Sequence, residues 1–332
     1  MHQYDLYGIG AALLDTEIEV SDRDLDALSV EKGIMTLVDD ARQQQLVDDL
    51  ENHLVTAKLA CGGSGANTVI AASYFGLNTF YSCKVAADDN GDFYRDNLHS
   101  AGVDYPATLK QADKGTTGKC LVLITPDAER SMNTYLGISE QLSVSELDSE
   151  ALAASKWVYI EGYLVSSETG RAAAVKLREE ARNHGVRTAL SLSDPAMVQF
   201  FGEGLREMIG GGVDMLFCNR DEALGFTNTD SIDAAAEALR DYCHSFAITL
   251  GAEGALLWDG NEIRRIASPE VRAIDTNGAG DMFAGAFLYG INRDMNFIEA
   301  GELACRAAAQ VVSQYGPRLQ AEQHSELLIP VT

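Results

Sequence analysis

Short apolar runs alternating with helical stretches constrain this chain more than any other feature. Residues 157–161, 186–192, 213–218 and 246–250 are four such runs, and stretches of helical character, such as 169–183 and 231–242, lie between them. Runs of this kind suit strands buried on both faces. Strands joined through helices run parallel, because a parallel partner is reached only by a crossover long enough to hold a helix. An earlier run from Tyr4 to Gly10 ends in glycine and reads as a buried first strand. The expected body is α/β, with helices flanking a central, mostly parallel sheet in three layers.

Two segments break that rhythm, residues 15–38 and 103–139. In the second, residues 118–125 and 130–136 flank Pro126-Asp127-Ala128-Glu129 in the manner of a hairpin. The two segments are far apart in sequence, with a helix expected near 65–76 between them. They are therefore expected to form a small β-sheet lid that leaves the main body and returns to it. The domain assignment is 1–14, 39–102 and 140–332 for the main body, and 15–38 with 103–139 for the lid. A long Ala-rich helix at 297–313 closes the fold.

Charge narrows the function classes. The 332 residues carry 25 basic and 50 acidic side chains, a formal net charge of −25. Nucleic acid and anionic membranes are held by Lys and Arg, so neither is an expected partner. An anionic substrate would need local N–H groups, an Arg or Lys, or a divalent cation. The excess of carboxylates suits an acidic cytoplasmic surface or an adaptation to salt. No stretch approaches the roughly 18 apolar residues of a membrane span, and the start has no basic and apolar leader, so a cytoplasmic location is expected. Cys61, Cys83, Cys120, Cys218, Cys243 and Cys305 are scattered without metal-ligand spacing and read as buried, reduced thiols.

The most informative stretch is Asp275-Thr276-Asn277-Gly278-Ala279-Gly280-Asp281-Met282-Phe283-Ala284-Gly285-Ala286-Phe287. Small residues precede a helix, so Gly278, Ala279 and Gly280 can leave backbone N–H groups open at its positive end, where an anion is favoured. Asp281 beside them would sit close to a bound γ-phosphate and could take the proton of an attacking hydroxyl. An Asp near a helix start also serves as a plain cap or dipole partner. At Gly62-Gly63-Ser64-Gly65-Ala66-Asn67-Thr68 the glycines allow close backbone approach, and Asn67 offers both a donor and an acceptor to hydroxyl groups. The pair Gly8 and Gly10 lacks the third glycine and the helix of a dinucleotide fingerprint.

The thirteen-residue string resembles the C-terminal signature of the ribokinase-like (PfkB) carbohydrate and nucleoside kinases, and the stretch at Gly62 resembles their other signature. The resemblance extends over essentially the whole chain and implies the ribokinase-like fold. It makes Asp281 the catalytic base and Gly278, Ala279 and Gly280 the anion hole, with Asn277 at the phosphates. Asp15, Gly62, Gly63 and Asn67 would grip the acceptor. Asn219 and Glu222, in Asn219-Arg220-Asp221-Glu222, resemble the family's Asn-x-x-Glu element, which organises Mg²⁺ through water. Thr249, Gly251 and Gly254 look like the ATP-site loop, and Arg130 on the lid could reach the transferred phosphoryl group. ATP and Mg²⁺ are thus the implied cofactors, and the resemblance also admits K⁺. A monomer or homodimer is expected.

Within the family the chain most resembles adenosine kinases. Glu161-Gly162-Tyr163-Leu164, Leu190-Ser191-Leu192-Ser193-Asp194-Pro195, Asp214-Met215-Leu216-Phe217-Cys218-Asn219 and Gln314-Tyr315-Gly316-Pro317-Arg318 carry that likeness. Tyr163, Leu136 and Phe201 would face an acceptor base. Ala11 departs from the pattern, standing where an Asn is usual, and Met35 stands where a polar residue is expected. The implied reaction is phosphorylation of the 5′-hydroxyl of adenosine to AMP, a purine-salvage step. Ribose, fructose, inosine and guanosine are alternative acceptors. A non-catalytic nucleoside-binding regulator is the rival from another class, and intact Asp281 with its glycines counts against it.

Overall fold

The strand Tyr4–Ile9 is buried at all six positions, as a central parallel strand covered on both faces must be. In the computed structural model, which describes residues 2–50, 58–111 and 113–329, this strand sits inside the larger of two sheets. Among the described residues that sheet has nine strands, in the order Ile263–Ile266, Ala255–Trp258, Phe246–Thr249, Met215–Asn219, Arg187–Ser191, Ser155–Ile160, Tyr4–Ile9, Thr79–Ser82 and Val103–Asp104. Neighbours pair in parallel except at one end, where Phe246–Thr249, Ala255–Trp258 and Ile263–Ile266 turn back on each other. Helices cover both faces. Ser64–Tyr74, Ala279–Asn292 and Phe297–Val311 pack one apolar core, and Glu168–His184, Pro195–Ile209, Arg220–Thr227 and Ile232–Leu239 pack the other. This is the α/β, three-layer arrangement that the alternation of runs demands.

The smaller sheet holds five strands among the described residues, ordered Met35–Leu37, Arg130–Tyr135, Gly118–Ile124, Leu13–Glu19 and Lys58–Gly62. Gly118–Ile124 and Arg130–Tyr135 form the expected hairpin, with Ile124 opposite Arg130. The boundaries drawn from sequence need correction in three places. Leu13 and Leu14 already belong to the small sheet, and so does Lys58–Gly62, which runs antiparallel to Leu13–Glu19. Val103–Asp104, in turn, is an edge strand of the large sheet, reached from Thr79–Ser82 through the helix Asp89–Ser100. Its two residues are too few to show periodicity, and no polar break marks where Tyr4–Ile9 gives way to Leu13–Glu19. Residues 51–57, inside the stretch assigned to the main body, lie outside the described residues, as do 1, 112 and 330–332.

All six cysteines are buried and free. Among the described residues no helix is long and apolar enough to cross a membrane.

Candidate active site

The parallel strands Tyr4–Ile9, Ser155–Ile160, Arg187–Ser191, Met215–Asn219 and Phe246–Thr249 end along one edge of the large sheet, and the small sheet stands over that edge. Between them lies a cavity of about 630 Å³. Asp15, Gly63, Asn67, Arg130, Leu136, Tyr163, Asn219, Glu222, Thr249, Gly251, Gly254, Asn277, Gly278, Ala279, Gly280 and Asp281 all line it. Gly62 does not; it lies under Asp15, where a Cβ would stand 2.0 Å from the carboxyl carbon. Phe201 also lies off the cavity, packed against the second core at a break in the helix Pro195–Ile209.

Gly278 caps the helix Ala279–Asn292 with φ 74°, a left-handed conformation that glycine adopts without strain, and no side chain caps the end. The first N–H groups of a helix have no intrahelical partner, so this terminus is open to an anion. Asp281 stands in that first turn. Its Oδ1 accepts a hydrogen bond from Ser64 Oγ at 2.5 Å, and its Oδ2 accepts one from Asn67 Nδ2 at 3.1 Å. Burial raises its pKa, while Ser64, Asn67, Arg130 and Arg318 oppose the rise. Asn67 Oδ1 is buried and has no partner among the described residues, so it is free to accept from a ligand hydroxyl.

Gly63, at φ 89°, carries the chain from the small sheet into the helix Ser64–Tyr74 and brings Ser64 and Asn67 to Asp281. Asp15 faces the same space; burial pushes its pKa up to about 8, Glu17 adding to the shift while Arg318 and Arg130 oppose it. An apolar wall of Leu13, Met35, Cys120, Met132, Leu136 and Tyr163 adjoins it. Tyr163 donates to Asp194 Oδ2 at 3.3 Å.

Arg130 opens the second hairpin strand and forms no ion pair among the described residues, although its charge acts on Asp15, Asp194, Glu222, Asp275 and Asp281. The hairpin turn touches the anion loop directly, where Thr276 Oγ1 donates to the Ala128 carbonyl at 3.0 Å. Asn219 and Glu222 form a helix capping box: Glu222 N–H donates to Asn219 Oδ1 at 2.8 Å, and Asn219 N–H donates to Glu222 Oε2 at 3.0 Å, with Asn219 Nδ2 donating to Oε1 at 2.6 Å. The cap reading and the cavity-lining reading both hold. Glu222 is buried, which pushes its pKa up to about 8, Asp194 and Asp221 adding to the rise while the Asn219 N–H and Arg130 oppose it. Among the described residues no group of three or more His, Cys, Asp or Glu side chains is placed to hold a metal ion by itself. A hard carboxylate with an amide beside it fits Mg²⁺ held through water and substrate phosphates.

The far end of the cavity is a slot of small and apolar residues, Ala252, Val271, Ala273, Ala308, Ala309 and Val312. Gly251 has open space where a side chain would point, so a planar ligand can approach its backbone. Gly254 serves a different end: a Cβ there would stand 1.9 Å from the Ile266 carbonyl oxygen, so its bareness lets the strand pair close.

Ser64, Glu161 and Asp194 are polar cavity residues that had no assigned role at the sequence level. Glu161 accepts from the N–H groups of Ala11 and Gly65, both at 2.7 Å, and so ties the first strand to the helix that carries Ser64 and Asn67. Burial pushes its pKa up to about 7, against those two amides. An acidic residue closing a buried strand was the signal available for it, and a hydroxyl between Gly63 and Gly65 was the signal for Ser64.

The profile of the pfkB family carbohydrate kinases matches residues 32–324. An adenosine kinase of Schizophyllum commune is 26% identical over 346 residues, covering 96% of this chain and 98% of that protein. The crystal structure of a probable sugar kinase protein from Rhizobium etli CFN 42 superposes with a TM-score of 0.91 at 31% identity, covering 99% of this chain and 100% of that one. The adenosine kinase of Sinorhizobium meliloti gives 0.90 at 32% identity, over 98% of this chain and 99% of that one.

Proposed function

We propose, from the premise that the chain belongs to the pfkB family of carbohydrate kinases, that it transfers the γ-phosphate of ATP to the 5′-hydroxyl of adenosine, giving AMP. The observation that carries this reading is the Asp281 carboxylate, aligned by Ser64 and Asn67 beside an uncapped helix start. ATP enters with its base in the small-residue slot and its γ-phosphate against the N–H groups of Gly278, Ala279 and Gly280. The acceptor lies across Asp15 and Asn67, which take its ring hydroxyls. Asp281 orients the primary hydroxyl in line with the phosphorus and receives its proton, a late event in a loose transition state. Arg130 reaches the transferring group from the hairpin and offsets its charge. Asn219 and Glu222 would hold Mg²⁺ through water, which would supply positive charge to offset that of the phosphates.

The apolar wall supports a nucleoside acceptor, because a bare sugar would leave Met35, Met132, Leu136 and Tyr163 facing water. A sugar is the second reading, supported by the likeness to the probable sugar kinase protein of Rhizobium etli at 31% identity. ADP release with Mg-ATP against adenosine, inosine, guanosine, ribose and fructose separates them. Turnover fastest on adenosine is expected; turnover confined to a sugar overturns the acceptor assignment. The same assay with KCl exchanged for choline chloride reads any need for K⁺.

A further inference from the structure

Gly316, Pro317 and Arg318 follow the last long helix and back the anion hole from behind. The Gly316 N–H donates to Asp275 Oδ2 at 2.9 Å, and a Cβ on Gly278 would stand 2.1 Å from the Pro317 carbonyl oxygen. On its other side the same turn meets the small sheet, where a Cβ on Gly316 would lie 3.8 Å from Glu17 Oε2. Arg318 therefore stems from a turn wedged between the strand that carries Asp15 and the helix that carries Asp281. Its Nη1 is buried and has no hydrogen-bond partner among the described residues.

A guanidinium stays charged at every working pH, and burying it without a partner is costly. The neighbouring Cys61 thiol is neutral, because burial pushes its pKa up to about 12, and the buried phenol of Tyr94 is neutral as well. Glu17 and Asp275 flank the Arg318 turn, and the Arg318 charge acts on Asp15 and Asp281. We infer that Arg318 is the fixed counter-cation of the acceptor site, a positioning residue whose charge faces Asp15 and Asp281 from the body of the protein and keeps them aimed at the cavity. This rests on the reading of those two residues given above.

The surroundings of both carboxylates support a division of labour between two cations. Asp15 faces Glu17 on its own strand, Arg318 from the C-terminal turn, Asp281 from the anion-hole helix and Arg130 from the hairpin, with the neutral thiols of Cys120 and Cys61 on adjoining strands. Asp281 faces Ser64, Asn67, Arg130 and Arg318, with Tyr159, Glu161 and Tyr163 beyond them. Arg130 rides on the hairpin and is drawn to phosphate once ATP enters. Arg318, held in the body of the protein, is the cation that remains for Asp15.

The test measures kcat/KM for adenosine against pH at saturating Mg-ATP in wild type, R318M, R318K and D15N, with the KM for ATP alongside. For R318M the acidic limb is expected to move up by about one pH unit and the adenosine KM to rise about tenfold, with the ATP KM nearly unchanged. R318K should recover most of both. An unmoved limb in R318M, or R318K as impaired as R318M, overturns the role. If R318M does not fold, R318K decides alone: a wild-type limb supports the role and a shifted limb overturns it. A D15N enzyme with unchanged adenosine KM overturns the acceptor reading and this role together, whereas a raised KM in D15N with an unmoved limb in R318M removes only the role of Arg318.

Discussion

Asp281 accepts two side-chain hydrogen bonds while facing an open helix start, so its proton affinity is set by competition. Burial raises it; the 2.5 Å bond from Ser64 and the 3.1 Å bond from Asn67 hold it down. Ser64→Ala removes the shorter, charge-assisted bond, which is worth about 1.5–3 kcal/mol. The acidic limb of kcat should therefore move up by about one pH unit, so that kcat on that limb falls about tenfold. A pH profile that coincides with wild type would show that Ser64 does not tune the base. Asp15 and Glu222 illustrate a related point. Each was recognised as a carboxylate in a motif, but burial, which pushes both up to about 8, depends on the packing of distant elements and leaves no mark in the sequence.

At the scale of elements, the hairpin formed by Gly118–Ile124 and Arg130–Tyr135 delivers one cation to a cavity lined with carboxylates. Removing a preorganised donor to a transferring group costs roughly 100- to 1,000-fold in kcat. Arg130→Gln should show a loss of that size with little change in the KM for adenosine, and a kcat within a few-fold of wild type would remove Arg130 from the transition state. The hairpin was legible because Pro126-Asp127-Ala128-Glu129 interrupts two β-rich runs, and the parallel body was legible because its strands are continuous apolar runs. What stayed hidden were elements defined by their partners. Val103–Asp104 is a strand only because Thr79–Ser82 lies beside it, and Lys58–Gly62 joins the small sheet through pairing with Leu13–Glu19. The anion hole was readable for the opposite reason, since its glycines and Asp281 are adjacent in the chain, whereas the turn that backs it, Gly316 to Arg318, is distant in sequence.

Taken as a whole, the ligand-free protein buries carboxylates whose pKa values are raised on folding: Asp15 to about 8, Glu161 to about 7 and Glu222 to about 8. Unfolded, such groups titrate near 4. Each thus binds its proton more tightly when folded, so its contribution to stability is complete below about pH 4 and is lost as pH rises through 7 to 8. Asp5, Asp88 and Glu146 have lowered values, burial being outweighed by hydrogen bonds and, for Asp5 and Glu146, lysine partners; their contribution is lost as pH falls. The Tm of the ligand-free protein should therefore be higher at pH 6 than at pH 9, and adenosine with Mg-ATP should narrow the gap. A Tm that rises from pH 6 to pH 9 would contradict this ledger of charges. The central claim, that Asp281 drives phosphoryl transfer at an anion hole built from its own helix, is tested most directly by the rate of ADP formation with adenosine in wild type and D281N, alongside calorimetric binding of ATP. The predicted result is a loss of about 1,000-fold or more in rate with ATP affinity preserved; a D281N enzyme that turns over at a near-normal rate would contradict it.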